Sequence, residues 1–145
     1  KNLVPDVRIT TDIIVGFPGE SQEDFEDTID VMNQVKFDQV FNFKYSVRPN
    51  TAAEHMTNVV DNEVASKRLT EVIELSKVQM DEAMAAKVGM VMEVLFEDLK
   101  PNGEIMGFTD NYCPVFVKGS DELLGKFAKV KIISNSRTSL KGELV

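Results

Sequence analysis

From Val91 to the end of the chain the apolar residues stop recurring at helical spacing and begin to alternate. Five stretches read as strands, Val91–Glu97, Glu104–Thr109, Pro114–Lys118, Phe127–Ile133 and Ser139–Val145. Pro101-Asn102-Gly103 is a turn signal between the first two. In the fourth, Ala128, Val130 and Ile132 point one way and Lys129 and Lys131 the other. Strands this short expose unpaired edges unless their sheet closes or is covered. The expectation is a small antiparallel five-stranded β-barrel over residues 88–145, with Phe116 and Phe127 in its core.

The first part, residues 1–87, follows a different grammar. Ile9–Val15 reads as a strand, and its apolar run Ile13-Ile14-Val15 suits burial on both faces. Gly16, Pro18 and Gly19 end it, Ser21 and Asp24 have the spacing of a capping box, and a helix follows over Gln22–Lys36. Phe25, Ile29 and Met32 share one face of that helix and pack on the sheet. A second strand, Asp38–Ser46, alternates Phe41, Phe43 and Tyr45 with Asn42, Lys44 and Ser46, before Arg48-Pro49-Asn50-Thr51 turns the chain. A long helix begins at Asp61 or Asn62 and runs to about Lys87, where Gly89 is placed for a C-cap. Its apolar positions Val64, Leu69, Val72, Ile73, Met80, Ala83 and Met84 make only a loose stripe. Alternating strand and helix define an α/β unit, in which ligands sit beyond the carboxyl ends of the strands.

Composition narrows the chemistry. No run is long and apolar enough for a membrane-spanning helix, so no membrane partner is expected. A single cysteine, Cys113, excludes an internal disulfide and a cysteine-only metal site; a single histidine, His55, argues against zinc. Absence of disulfides points to a cytoplasmic location. The chain begins at Lys1 rather than Met and enters structured sequence at once, which reads as a piece of a longer protein. Formal net charge is −8, but between Lys118 and Lys141 six basic residues face only Asp121 and Glu122. Local potential steers a polyanion more than net charge does, so this segment is suited to nucleic acid.

Four separated motifs occur in a telling order: Thr11-Asp12-Ile13-Ile14-Val15-Gly16-Phe17-Pro18-Gly19-Glu20, then Tyr45-Ser46-Val47-Arg48-Pro49-Asn50-Thr51-Ala52-Ala53, then Gly125-Lys126-Phe127 and Ser139-Leu140-Lys141-Gly142. Over nearly its whole length the chain resembles the C-terminal part of a radical S-adenosylmethionine methylthiotransferase of the tRNA 2-methylthio-adenosine synthase type. The resemblance implies the last units of a partial (β/α) barrel followed by a TRAM domain, a small RNA-binding β-barrel. In the first motif it implies that Asp12, Ile14 and Gly16 lie near the adenine of S-adenosylmethionine, with Asp12 standing where the looser motif has Gly. Tyr45 and Ser46 are implied to reach the same mouth of the barrel. Arg48 is implied to meet RNA, because the branch that modifies a ribosomal-protein aspartate usually has Glu there. Asn50 replaces a common Gly, and Phe108 replaces a common Arg. In the second domain Phe108 and Tyr112 are candidates for stacking on bases, and Lys118, Lys126, Lys129, Lys131, Arg137 and Lys141 for phosphates.

The whole enzyme of such a family would add a methylthio group to a modified adenosine beside the anticodon of tRNA. It would use S-adenosylmethionine and two 4Fe-4S clusters. Methylthiolation of a ribosomal protein, and a non-catalytic RNA-binding module, are the alternatives. The family's six cluster-binding cysteines are absent from this sequence. Two strands of a partial barrel also leave an edge and an apolar face open, which predicts self-association. A 4Fe-4S cluster needs several thiolates. Incubated with iron and sulfide under anaerobic reducing conditions, this chain is therefore expected to develop no visible cluster absorption; a stable chromophore would contradict the reading.

Overall fold

A computed structural model describes residues 3, 4 and 6–145. In chain order the elements are β1 (Thr10–Val15), α1 (Gln22–Val35), β2 (Gln39–Lys44), α2 (Asn62–Ala85), β3 (Val91–Leu99), β4 (Glu104–Thr109), β5 (Pro114–Lys118), β6 (Phe127–Asn135) and β7 (Leu140–Leu144). The described residues form two compact units, Ile9–Gln79 and Met80–Val145, the latter with the segment through Arg8. The division falls inside α2, because Met84 is buried in the core of the second unit. No helix among the described residues is long and apolar enough to cross a membrane.

In the first unit β1 and β2 pair in parallel, with Thr10 opposite Gln39 and Val15 opposite Lys44. Ser21 caps α1 as the spacing predicts. Its hydroxyl accepts the Asp24 N–H at 3.1 Å, and the Asp24 carboxylate accepts the Ser21 N–H at 2.8 Å. These two hydrogen bonds hold the Asp24 carboxyl below its usual range. Phe25 and Met32 are buried with Val15, Val40 and Val72, and Ile29 packs against them. α2 buries Val72 and Met84 of the expected stripe, together with Ala65, Arg68, Ser76 and Gln79. The spacing is helical, but three of these six are polar, Arg68, Ser76 and Gln79, which is why the apolar pattern looked loose. They meet polar partners. Ser76 accepts a hydrogen bond from Asn42 at 3.1 Å, and Gln79 donates to the Met32 carbonyl at 2.9 Å.

β1 is covered on one face only, contrary to the expectation of a strand buried on both. Ile13 and Val15 face the helices, whereas Asp12 and Ile14 are exposed. Register places Asp12 beside Phe41 and Ile14 beside Phe43. Apart from Asp12 the outward face of these positions is apolar, and the polar residues Asn42 and Lys44 of β2 are turned to α2.

The second unit is a closed barrel with strand order β3-β4-β5-β7-β6. Four of its seams are antiparallel and one, β5 with β7, is parallel. The expected all-antiparallel barrel cannot exist with five strands: alternating directions around a ring require an even number. The parallel seam is short, with Val115, Phe116 and Val117 opposite Leu140, Lys141 and Gly142. On its other side β7 approaches β6 so closely that a Cβ on Gly142 would lie 2.2 Å from a Val130 methyl. The core is Val94, Phe96, Ile105, Cys113, Val115, Val117, Val130, Ile132 and Leu140, with Met84. Each such side chain is worth about 1.5–3 kcal/mol on burial. Gly89 does not cap α2, as expected of it, but donates to the Ile132 carbonyl at 2.8 Å and so ties the chain to β6.

Ile14 is 54% exposed, Phe41 47% and Phe43 50%, adjacent on one face. A contiguous apolar patch of this kind favours association. Sedimentation velocity is expected to show reversible, concentration-dependent self-association, relieved by Phe41→Ser with Phe43→Ser. A wild-type chain that stays monomeric at high concentration would contradict this.

Candidate functional site

The first candidate site lies at the carboxyl ends of β1 and β2, where the chain leaves the sheet. Gly16 ends β1 with φ +74°, and a Cβ there would lie 2.6 Å from that of Ala65. Gly is therefore required by backbone angle and by the approach of α2 alike. The Gly16 N–H donates to Glu20 Oε2 at 2.6 Å. The same oxygen accepts Arg68 Nη1 at 2.7 Å, and Arg68 also donates to the Glu20 carbonyl at 3.0 Å. The side chains of Arg68 and Glu20 are only 7% and 11% exposed. The Arg68 guanidinium lies 5.3 Å from the centre of the Phe25 ring. The turn after β1 is thus fastened by a buried ion pair.

Around this turn the sequence-predicted residues separate into those brought together and those not. Asp12 and Ile14 share the open face with Phe41 and Phe43. Tyr45 extends the pairing by donating its N–H to the Val15 carbonyl at 2.9 Å, and its ring meets Phe17 edge-on at 5.1 Å. The Tyr45 hydroxyl is buried without a hydrogen-bond partner among the described residues. Ser46 is exposed beyond the end of β2. Arg48 is exposed in the following turn and makes no ion pair among the described residues. That turn forms with Asn50 at φ +63°, its N–H held by Glu54 at 2.8 Å, so Asn serves where a glycine is common. Arg68 was missed by the sequence reading. Its signal was its spacing of three from Ala65 and four to Val72, on the buried side of the helix.

The second candidate site is the outer face of the barrel. Phe108 stacks on Tyr112 with ring centres 4.6 Å apart and planes 19° from parallel. Lys118, Lys126, Lys129 and Lys131 are exposed and have no ion-pair partner within 4 Å among the described residues. Arg137 pairs with Asp81 at 3.3 Å and Lys141 with Glu104 at 3.1 Å, so two of the expected phosphate contacts are partly engaged. A hydrogen bond from Asn102, with that from Lys141, lowers the Glu104 pKa. Phe116 and Phe127 are not in the core. Phe116 is half-buried on the outer face and Phe127 is exposed. Their neighbours Val115, Val117, Val130 and Ile132 take the interior instead. Cys113 is fully buried there, a small apolar filler. Among the described residues no group of three or more His, Cys, Asp or Glu is disposed to hold a metal ion.

Residues 85–145 match the family model described as TRAM domain. The chain is 59% identical over its whole length to the tRNA-2-methylthio-N(6)-dimethylallyladenosine synthase of Aliarcobacter butzleri. It is 55% identical to that of Sulfurimonas denitrificans and 47% to that of Campylobacter jejuni, again over its whole length. The chain is homologous to the C-terminal region of the tRNA methylthiotransferases. It spans about a third of the length of these curated relatives (34%, 33% and 34%). In this homologue the TRAM domain is the closed barrel, and the Gly16–Glu20 turn belongs to the strand–helix unit before it.

Removing one partner of a buried ion pair strands the other, at a cost of about 3–5 kcal/mol. Arg68→Met should therefore lower the stability of the first unit by about 3 kcal/mol in urea unfolding. Glu20→Gln, which keeps an acceptor for the Gly16 N–H, should cost less. An Arg68→Met midpoint equal to wild type would show that the pair does not hold the turn.

Proposed function

We propose that this chain serves within a tRNA methylthiotransferase, cytoplasmic, that adds a methylthio group to an N6-modified adenosine beside the anticodon. In this reading Ile9–Gln79 supplies one wall of the S-adenosylmethionine site and the barrel grips tRNA. The observation that carries it is the likeness of the entire chain, both units included, to synthases named for this product.

The residues present fit an adenine-bearing ligand. Ile14 and Phe43 offer adjacent apolar surface, and the Tyr45 hydroxyl is a polar atom without a partner among the described residues. Asp12 stands on the same face for a polar contact, and Ser46 follows Tyr45 at the strand end. Gly16 is buried against Ala65 and its N–H is committed to Glu20, so its part is to shape the end of the wall and not to contact the ligand through its amide. When bound, S-adenosylmethionine would supply both the radical and the methyl group. The iron–sulfur clusters do not fit this chain, whose one thiol is enclosed in the barrel core. Arg48, exposed and without an ion pair among the described residues, remains the candidate for contact with RNA at this unit. Lys118, Lys129 and Lys131 are the candidates on the barrel, with Arg137 and Lys141 available if their carboxylate partners give way.

The test is the affinity of the 145-residue chain for a tRNA anticodon stem-loop at two salt concentrations. Binding should weaken steeply as salt rises, since each neutralised phosphate releases counterions. No binding even at low salt would refute an RNA-gripping role.

A further inference from the structure

We propose that Phe127, Leu95, Phe108 and Tyr112 form a stacking platform for unpaired nucleotides on the outside of the barrel, an inference that rests on the RNA-binding reading above. Strand register assembles it. Leu95 on β3 is opposite Phe127 on β6 and opposite Phe108 on β4, so the three lie in one row across three neighbouring strands. Adjacent strands are about 4.8 Å apart, which sets the two phenyl groups about 10 Å apart with Leu95 between them. Tyr112 then extends the row through its stack on Phe108.

Two features separate this row from ordinary surface. First, its aromatic ends are left in water: Phe127 is 66% exposed and Tyr112 69%. Second, Tyr112 holds φ +64°, a left-handed angle that a bulky side chain seldom adopts. The loop enforces it. The Tyr112 N–H bonds to the Thr109 carbonyl at 2.9 Å, Cys113 N–H to Thr109 Oγ1 at 2.9 Å, and Arg8 donates to the Tyr112 carbonyl at 2.5 Å. Strain of this kind, maintained without burying the ring, is found where a side chain must be presented.

Charge selects the occupant. Beyond Phe127 the outward positions of β6 are Lys129 and Lys131, and Lys126 precedes it. Glu93 and Glu143 lie across the strand seams from Lys129 and Lys131, yet no ion pair within 4 Å forms there among the described residues. A line of cations beside flat apolar rings matches a backbone of phosphates beside bases. The bases must be unpaired, because a duplex keeps its ring faces stacked inside and offers a protein only its sugar–phosphate surface and groove edges. Stacking tolerates any base, so the platform grips without reading sequence.

The experiment uses the 145-residue chain, a labelled single-stranded oligouridylate and a duplex RNA of equal length. Wild type should prefer the single strand. Phe127→Ala and Tyr112→Ala should each weaken single-strand binding at least five-fold, with an unchanged salt dependence and an unchanged unfolding midpoint. Lys129→Gln with Lys131→Gln should instead flatten the salt dependence. The chain has no tryptophan, so Phe127→Trp adds a unique fluorophore whose emission should be quenched as a base stacks on it while affinity is retained. If the single strand binds but Phe127→Ala binds it equally well, the platform is wrong and the RNA-binding reading stands. If Phe127→Ala abolishes self-association and leaves RNA affinity intact, the row is a protein contact and the proposal fails. If wild type binds neither RNA, both readings fall.

Discussion

One carboxylate oxygen, Glu20 Oε2, holds the end of β1 in place. It receives the Gly16 N–H and the Arg68 guanidinium together, within a pocket that leaves both charged side chains nearly dry. A carboxylate removed from water must be matched by hydrogen bonds and opposite charge, or it costs several kcal/mol. Here three parts of the chain meet at that one atom: the turn after β1, the entry to α1, and α2. Gly16 makes the meeting possible, since any side chain there would collide with Ala65 on α2. The open face of Ile14 and Phe43, on which a flat ligand would lie, is the reverse of the same sheet that this ion pair anchors.

How much of this could be read from sequence depends on whether local pattern or residue type was the guide. Local pattern served well. The Ser21–Asp24 box, the five barrel strands and the helical face of Phe25, Ile29 and Met32 are properties of neighbouring residues, and all appear. Residue type misled. Phe127 was expected in the core because it is aromatic, yet alternation from Ala128, Val130 and Ile132 assigns it to the same side as Lys129 and Lys131. Phe116, between the buried Val115 and Val117, carries the same lesson. This barrel fills its interior mostly with β-branched residues around a single aromatic, Phe96, and carries Phe108, Tyr112, Phe116 and Phe127 outside.

Other features were not legible because they arise from distant parts of the chain. Arg68 lies 48 residues from Glu20, and nothing in the local helix pattern marks a buried arginine as a partner for a turn so far upstream. The openness of one face of β1 has the same origin. Ile13-Ile14-Val15 reads as a strand covered on both sides, and only the positions of α1 and α2 show which side is covered. Parity was available without any structure: a ring of five strands must contain a parallel seam.

The seams of the barrel also differ in how much chain must be brought together to form them. β3, β4 and β5 pair with their neighbours in sequence across short turns and need little chain entropy to meet. Closure needs β6 to return to β3 and β7 to reach back past it to β5, joining Val115 to Leu140 across an intervening strand. Contacts between such separated residues are the slow ones, because the chain must surrender its freedom before they repay it. The β3–β6 seam joins residues farther apart in sequence than the β5–β7 seam does, so the return of β6 to β3 is the costlier closure, and the three parallel pairs at β5 and β7 are the shorter clasp that completes the ring.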